Sequence, residues 1–262
     1  MNTAEEIKTL VREKYGQIAE QSREENAASC CGAGGCSTVD YTIMSEDYSA
    51  TDGYVPDADL GLGCGIPTEF AQIKKGDVVL DLGSGAGNDA FVARALVGTS
   101  GKVIGVDMTA SMIDKARKNN DTLGFNNVEF RLGEIEHLPI GSNMVDVIVS
   151  NCVLNLVPNK NQAFAEMFRV LRPGGRVAVL EFAIPTTPGV RAAYLWYFNR
   201  VLPMIGKIIS KHNAAYGYLP ASVGAFATPD EFVTILRQRG FVDVRAVSLT
   251  FGIVYLYTAT RP

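Results

Sequence analysis

VLDLGSGAGND, residues 79–89, reads as a buried strand carrying an acid, Asp81, that runs into a turn with glycines at 83, 85 and 87. Valine and leucine on either side of that acid suit a strand covered on both faces. Glycines just after such a strand permit a tight strand-to-helix turn and let backbone approach a ligand closely. A Gly-rich turn alone is weak evidence. Here a helix is expected from Asn88 to Val97, and a second strand, KVIGVD, ends in another acid, Asp107, 26 residues after Asp81. An acid at that place can accept hydrogen bonds from ribose hydroxyls.

A dinucleotide site is the competing reading of the turn. Its fingerprint is G-x-G-x-x-G, whereas this chain has G-S-G-A-G, and Asp81 would repel a pyrophosphate. An acid suits instead the amino group of an amino-acid-like cofactor.

Outward from this unit, strands and helices alternate. Helix Ala110–Leu123 precedes strand VEFRL (128–132), strand VDVIVS (145–150) and helix Asn161–Leu171, and the PGG at 173–175 reads as a turn before strand RVAVLEF. A helical insert is expected over Gly189–Lys211 and a helix with a Thr-Pro-Asp start over Pro229–Arg239. FVDVRAVSL and GIVYLYTAT close the sequence as two strands joined through Thr250-Phe251-Gly252. The pattern predicts a Rossmann-like α/β fold: a seven-stranded, mostly parallel sheet with helices on both faces. Upstream, Ile7, Leu10, Val11, Tyr15 and Ile18 fall at helical spacing within residues 3–22. Residues 23–65 are rich in Gly, Ser, Ala, Asp and Cys without a sustained period, which predicts a long loop or lid. A short helix is expected over Thr68–Ile73. The resulting division is 1–65 for helix and lid, 66–187 for the cofactor core, and 188–262 for the insert and the strands that complete the sheet on the acceptor side.

At 262 residues the chain is one large domain or one domain with a modest appendage. A net charge of -4 offers no basic footprint, so nucleic acid is not an expected partner. The N-terminal MNTAEEIKTL has neither the basic start nor the apolar run of a signal peptide. The most apolar stretch, Ala192–Ile209, is broken by Asn199, Arg200 and Lys207, so no membrane insertion is expected and a cytoplasmic enzyme is the default. Five cysteines, at 30, 31, 36, 64 and 152, are an odd count that argues against a disulfide framework and predicts free thiols.

Taken together, the segments from about Ala71 to Phe182 resemble the class I S-adenosylmethionine (SAM)-dependent methyltransferases. VLDLGSGAGND resembles their first motif and VIGVDM (103–108) their second, while GEIEHLP (133–139) and LRPGGRVAVLEF resemble the segments after strand three and through strand five. The resemblance implies SAM as cofactor. Asp81, Gly83, Ser84, Gly85 and Gly87 would lie at its methionine end, Asp107 and Met108 at ribose and adenine, Glu134 and Ile135 at adenine, and Asn151 at the pocket's close.

Two families are resembled on the acceptor side. DADLGLGCGIPTEF, VIGVDMTASMIDKAR and VSNCVLNLVPNK are similar to the arsenite methyltransferases. That resemblance implies Cys64 and Cys152 as ligands of trivalent arsenic, with Cys30 or Cys31 as the upstream thiolate and Cys36 as an extra. Arsenic is soft and thiophilic, and three thiolates would leave its lone pair free to take a methyl group without a general base. A further cysteine, expected downstream in that family, is absent after Cys152. A thiol reductant is then a candidate partner beside the small-molecule acceptor.

From LEFAIP onward, YFNRVLPMIGKIISKHNAAYGYLPASVGAF and LTFGIVYLYTATRP resemble the ubiquinone/menaquinone biosynthesis C-methyltransferases. This implies an alternative acceptor, a quinone-like ring with an apolar tail. That family has an arginine after strand four where this chain has Leu154. Plainer readings remain for several residues. Cys152 could be a small core residue, Cys64 a turn residue, and the Cys30/Cys31/Cys36 group a zinc site with Cys64. His137 and His212 read as turn and surface residues, and Trp196-Tyr197-Phe198 as core.

Overall fold

The apolar run VVLDL forms β1 (Val78–Leu82) in the interior of a seven-stranded sheet. The computed structural model describes residues 4–20, 48–185, 187–196, 200 and 228–262. The other strands are β2 (Lys102–Asp107), β3 (Val128–Leu132), β4 (Val145–Asn151), β5 (Leu171–Phe182), β6 (Val242–Leu249) and β7 (Val254–Thr260). Their order is β3-β2-β1-β4-β5-β7-β6; the first five are parallel, and β7 runs antiparallel to both β5 and β6. The expected sheet is therefore present, with its switch point between β1 and β4, where crevices open beyond the carboxyl ends of the strands.

Alternation along the strands builds two cores. Leu80, Leu82, Ile148, Val177 and Val179 face one side with Phe164, Met167 and Phe232. Val79, Val103, Val147, Val149 and Leu180 face the other with Ala90, Phe91 and Val97. The helices of the described residues are α1 (Ala4–Ala19), α2 (Asn88–Val97), α3 (Ala110–Leu123), α4 (Lys160–Val170), α5 (Pro188–Trp196) and α6 (Pro229–Gln238). The Thr-Pro-Asp start of α6 closes a capping box between Thr228 and Glu231.

Four expectations need correction. Thr68–Ile73 is not a helix; only a 3-10 turn, Pro67–Glu69, forms before a turn leads into β1. The PGG at 173–175 is not a free turn but an irregular part of β5: Gly174 donates to the Arg261 carbonyl at 2.8 Å and Arg261 returns a bond to Gly175 at 2.9 Å. Pairing with the chain's end thus holds it extended, and the register with β4 shifts there. Trp196 is no core residue, being 64% exposed. The fourth correction is to the cysteines: Cys64 and Cys152 form a disulfide across 88 residues of sequence, with Cα atoms 6.3 Å apart, within reach of such a bond. Cysteine parity carries no information about two thiols that the fold brings face to face. Cys30, Cys31, Cys36, Tyr197, Phe198 and His212 lie outside the described residues.

Candidate active site

Beyond the carboxyl ends of β1, β2 and β4 lies a cleft of about 1190 Å³, counted out to its open mouth. Its lining includes Gly83, Ser84 and Gly85 from the turn after β1, Asp107 and Met108 from the end of β2, Ile135, and Asn151 and Cys152 after β4. Lys8, Val11 and Tyr15 of α1 cover it from above.

The turn after β1 is shaped by direct need at Gly83. Its φ of +71° is a left-handed conformation, and a Cβ there would collide with the Val153 side chain. Asp107 organises the rest: its carboxylate accepts the Gly85 N–H at 3.1 Å and the Thr109 N–H at 2.8 Å. Burial pushes the Asp107 carboxyl above the usual range, against those two bonds. Asp81 lies beneath the cleft, 2% exposed, and its Oδ2 has no hydrogen-bond partner. Burial first, then the neighbouring Asp89 and Asp107, hold its carboxyl well above the usual range. Ser84 Oγ and Asn88 Oδ1 are likewise buried without a partner. Orphaned acceptors and a group of acids fit a ligand with ammonium and sulfonium charges and would repel a pyrophosphate. These residues fit SAM.

Glu134 stands apart. It does not line the main cleft; Lys8 donates to it at 2.6 Å and Arg12 at 2.7 Å, and Lys8 also meets Glu136 at 3.1 Å. The Lys8 ammonium, then Arg12, hold the Glu134 carboxyl below its ordinary range. Ile135, 7% exposed, faces the cleft beside it. His137 is exposed on its turn.

Around Asn151 and the disulfide the side chains form a network that the motifs alone did not reveal. Asn151 donates to Asp89 Oδ2 at 3.0 Å, to the Gly65 carbonyl at 2.8 Å and to the Tyr48 hydroxyl at 3.0 Å. Tyr48 donates towards Gly65 and Asp89, at 2.6 and 2.7 Å. Through its Oδ1, Asn151 accepts the Cys64 N–H at 3.0 Å. The segment passes so close that a Cβ on Gly63 would sit 2.7 Å from Asn151 Nδ2. Burial raises the Asp89 carboxyl to about 6, opposed by the bonds from Asn151 and Tyr48. Asp89 had a local signal, an acid in the first turn of the helix behind the glycines. Tyr48 had none, since its partner Asn151 is 103 positions away. Among the described residues no group of three or more His, Cys, Asp or Glu side chains is placed to hold a metal ion.

A Rossmann-like sheet with an acid-lined, glycine-floored cleft at its switch point defines a SAM-dependent methyltransferase. The sequence model of the ubiE/COQ5 methyltransferase family matches residues 67–261, and the chain belongs to that family. A ubiquinone/menaquinone biosynthesis C-methyltransferase of Legionella pneumophila is 34% identical, covering 74% of this chain and 78% of its own length. An arsenite methyltransferase of Halobacterium salinarum is 47% identical over 70% of this chain; this chain spans about half of that relative, 49%. Among solved structures, an arsenic(III) SAM methyltransferase from Chlamydomonas reinhardtii aligns with a TM-score of 0.51 and 28% identity, over 76% of this chain and 66% of its own. A SAM-dependent methyltransferase from Aquifex aeolicus aligns at 0.55 and 23% identity, over 74% and 87%, a likeness of fold. Among the described residues no helix is long and apolar enough to cross a membrane.

Proposed function

We propose that this methyltransferase acts on trivalent arsenic held by cysteine thiolates. The observation that carries the reading is the meeting of Cys64 and Cys152 beside the cofactor cleft, with Cys152 in its wall and Cys64 next to the lining residue Gly63. Bound in the cleft, SAM supplies an electrophilic methyl group, and Asp81, Ser84, Gly85, Asp107, Met108 and Ile135 are the residues that would hold it.

The chain's own work is to hold the acceptor. While the two sulfurs are joined neither can ligate arsenic. A thiol reductant opens the bond, taking the oxidation into its own disulfide and leaving two thiols that ionise to bind the metalloid. Trivalent arsenic on thiolates keeps a lone pair, so no side chain has to remove a proton, and positioning is the main task. Cys30 or Cys31 is the proposed source of a third thiolate.

The second reading, C-methylation of a quinone-like ring, is favoured by the family match, which spans the C-terminal region as well as the core. Against it, Leu154 at the arginine's place is fully buried in the core and offers a ring hydroxyl no polar group.

The test is a turnover assay with SAM and a dithiol reductant, offering arsenite and a demethylmenaquinone analogue side by side. Methylated arsenic from the native chain, and none from Cys152→Ser, is the expected result. Methylation of the quinone analogue alone, undiminished in Cys152→Ser, replaces the arsenic reading with the second one.

A further inference from the structure

Glu181 is a buried acid that the cofactor and the acceptor chemistry leave unused. It is 0% exposed near the end of β5, on the sheet face packed with Val177, Val179 and Tyr257. A carboxyl in such surroundings is costly unless it is bonded, and a hydrophobic side chain would fill the volume more cheaply. Its Oε1 accepts the Leu154 N–H at 2.6 Å and the Asn155 N–H at 3.3 Å, while Oε2 has no hydrogen-bond partner. One residue earlier, the Leu180 carbonyl accepts the Cys152 N–H at 2.8 Å. Two consecutive residues of β5 therefore pin the loop that follows β4. Lys160 on α4 and Tyr257 on β7 are the ionisable groups facing the carboxyl, with Glu136 acting on Lys160 from beyond.

The pinned loop needs holding. Cys152 has a φ of +58°, a left-handed conformation that costs a non-glycine residue on the order of 1 kcal/mol or more and persists only where the surroundings enforce it. The next residue, Val153, fills the space against Gly83. We propose that Glu181 is a positioning residue for the acceptor thiols: by accepting the Leu154 and Asn155 N–H groups it fixes the left-handed turn that aims Cys152 at Cys64. Its importance for turnover rests on the arsenic reading, but the positioning itself can be measured without any acceptor.

The experiment equilibrates the full chain in oxidised and reduced dithiothreitol mixtures, quenches by alkylation and maps the Cys64–Cys152 bond by peptide mass. Calorimetry with SAM reports whether each variant is folded. Glu181→Ala and the volume-filling Glu181→Leu should shift the equilibrium at least tenfold toward the thiols, about 30 mV for two electrons. Glu181→Gln keeps a carbonyl acceptor and should stay within threefold of the native value, with SAM affinity retained in all three. Folded Ala and Leu variants with a native equilibrium overturn the proposal. So does a Gln variant as impaired as Ala, or loss of SAM binding in both Ala and Leu, which would make Glu181 a general structural residue. Failure to methylate arsenite leaves this equilibrium unaffected, so the two readings fail separately.

Discussion

Asn151 accepts the backbone N–H of Cys64 at 3.0 Å and lies 3.4 Å from its sulfur, so the residue before Cys152 holds the other half of the disulfide in place. The same side chain donates to Asp89 at 3.0 Å. Asn151→Ala removes these bonds together with those to Gly65 and Tyr48 and should lower stability by roughly 1–3 kcal/mol. Asn151→Asp keeps the acceptor but turns the donor into a second carboxylate oxygen facing Asp89. At pH 8 it should be less stable than the alanine variant. The gap should close as the pH falls, beginning above the native Asp89 value of about 6, because losing the Asn151 donor and gaining a carboxylate both push the Asp89 carboxyl higher. Thermal melts at pH 5 and pH 8 decide this, and an aspartate variant no worse than alanine at pH 8 contradicts the network.

Asp107 ties the cofactor turn together through Gly85 and Thr109. Asp107→Ala should weaken SAM binding by roughly 1–3 kcal/mol, the worth of charge-assisted bonds to the ribose. Calorimetry finding unchanged affinity, or tighter binding of a nicotinamide cofactor, removes Asp107 from the assigned role.

These two sites differ in how readable they were. Asp81, the glycines and Asp107 could be found because strand, turn and helix follow one another locally, and periodicity marks each boundary to within a residue or two. The disulfide could not be read, since Cys64 and Cys152 meet only once β4 lies beside β1 and the Gly63 segment passes over Asn151. Glu134 was assigned by its place in GEIEHLP, yet the structure engages it with Lys8 and Arg12 of α1, a partnership more than 120 positions long that no local pattern encodes. The PGG segment misled for a related reason: its turn chemistry was overridden by pairing with Arg261 at the chain's end.

The upstream cysteines lend themselves to a graded test. Cys30 and Cys31 are adjacent, so either can present a thiolate and each should be partly redundant. Cys30→Ser alone should cost far less arsenite turnover than the combined Cys30, Cys31 and Cys36 replacement to serine, with SAM affinity unchanged in both. Full activity in the triple variant would show that Cys64 and Cys152 suffice without a third thiolate.

Glu181 makes the clearest prediction about pH. Burial pushes its carboxyl up to about 8 from an ordinary 4.5, against the Leu154 and Asn155 N–H groups and the Lys160 ammonium. Between these values the folded chain keeps a proton that the unfolded chain has released, so stability falls as pH rises, by up to about 1.4 kcal/mol per pH unit for one group. Below about 4.5 both states are protonated and Glu181 adds no slope; above about 8 both are ionised and the loss is complete. Glu181→Gln cannot titrate. Contributions from groups that do not feel Glu181, such as the raised Asp81, cancel in the difference. Urea unfolding at intervals from pH 5 to 8 should therefore show the native chain losing stability steadily relative to the Gln variant. Parallel curves would mean that the carboxyl titrates in its ordinary range, and that the loop after β4 is held by a charged group throughout.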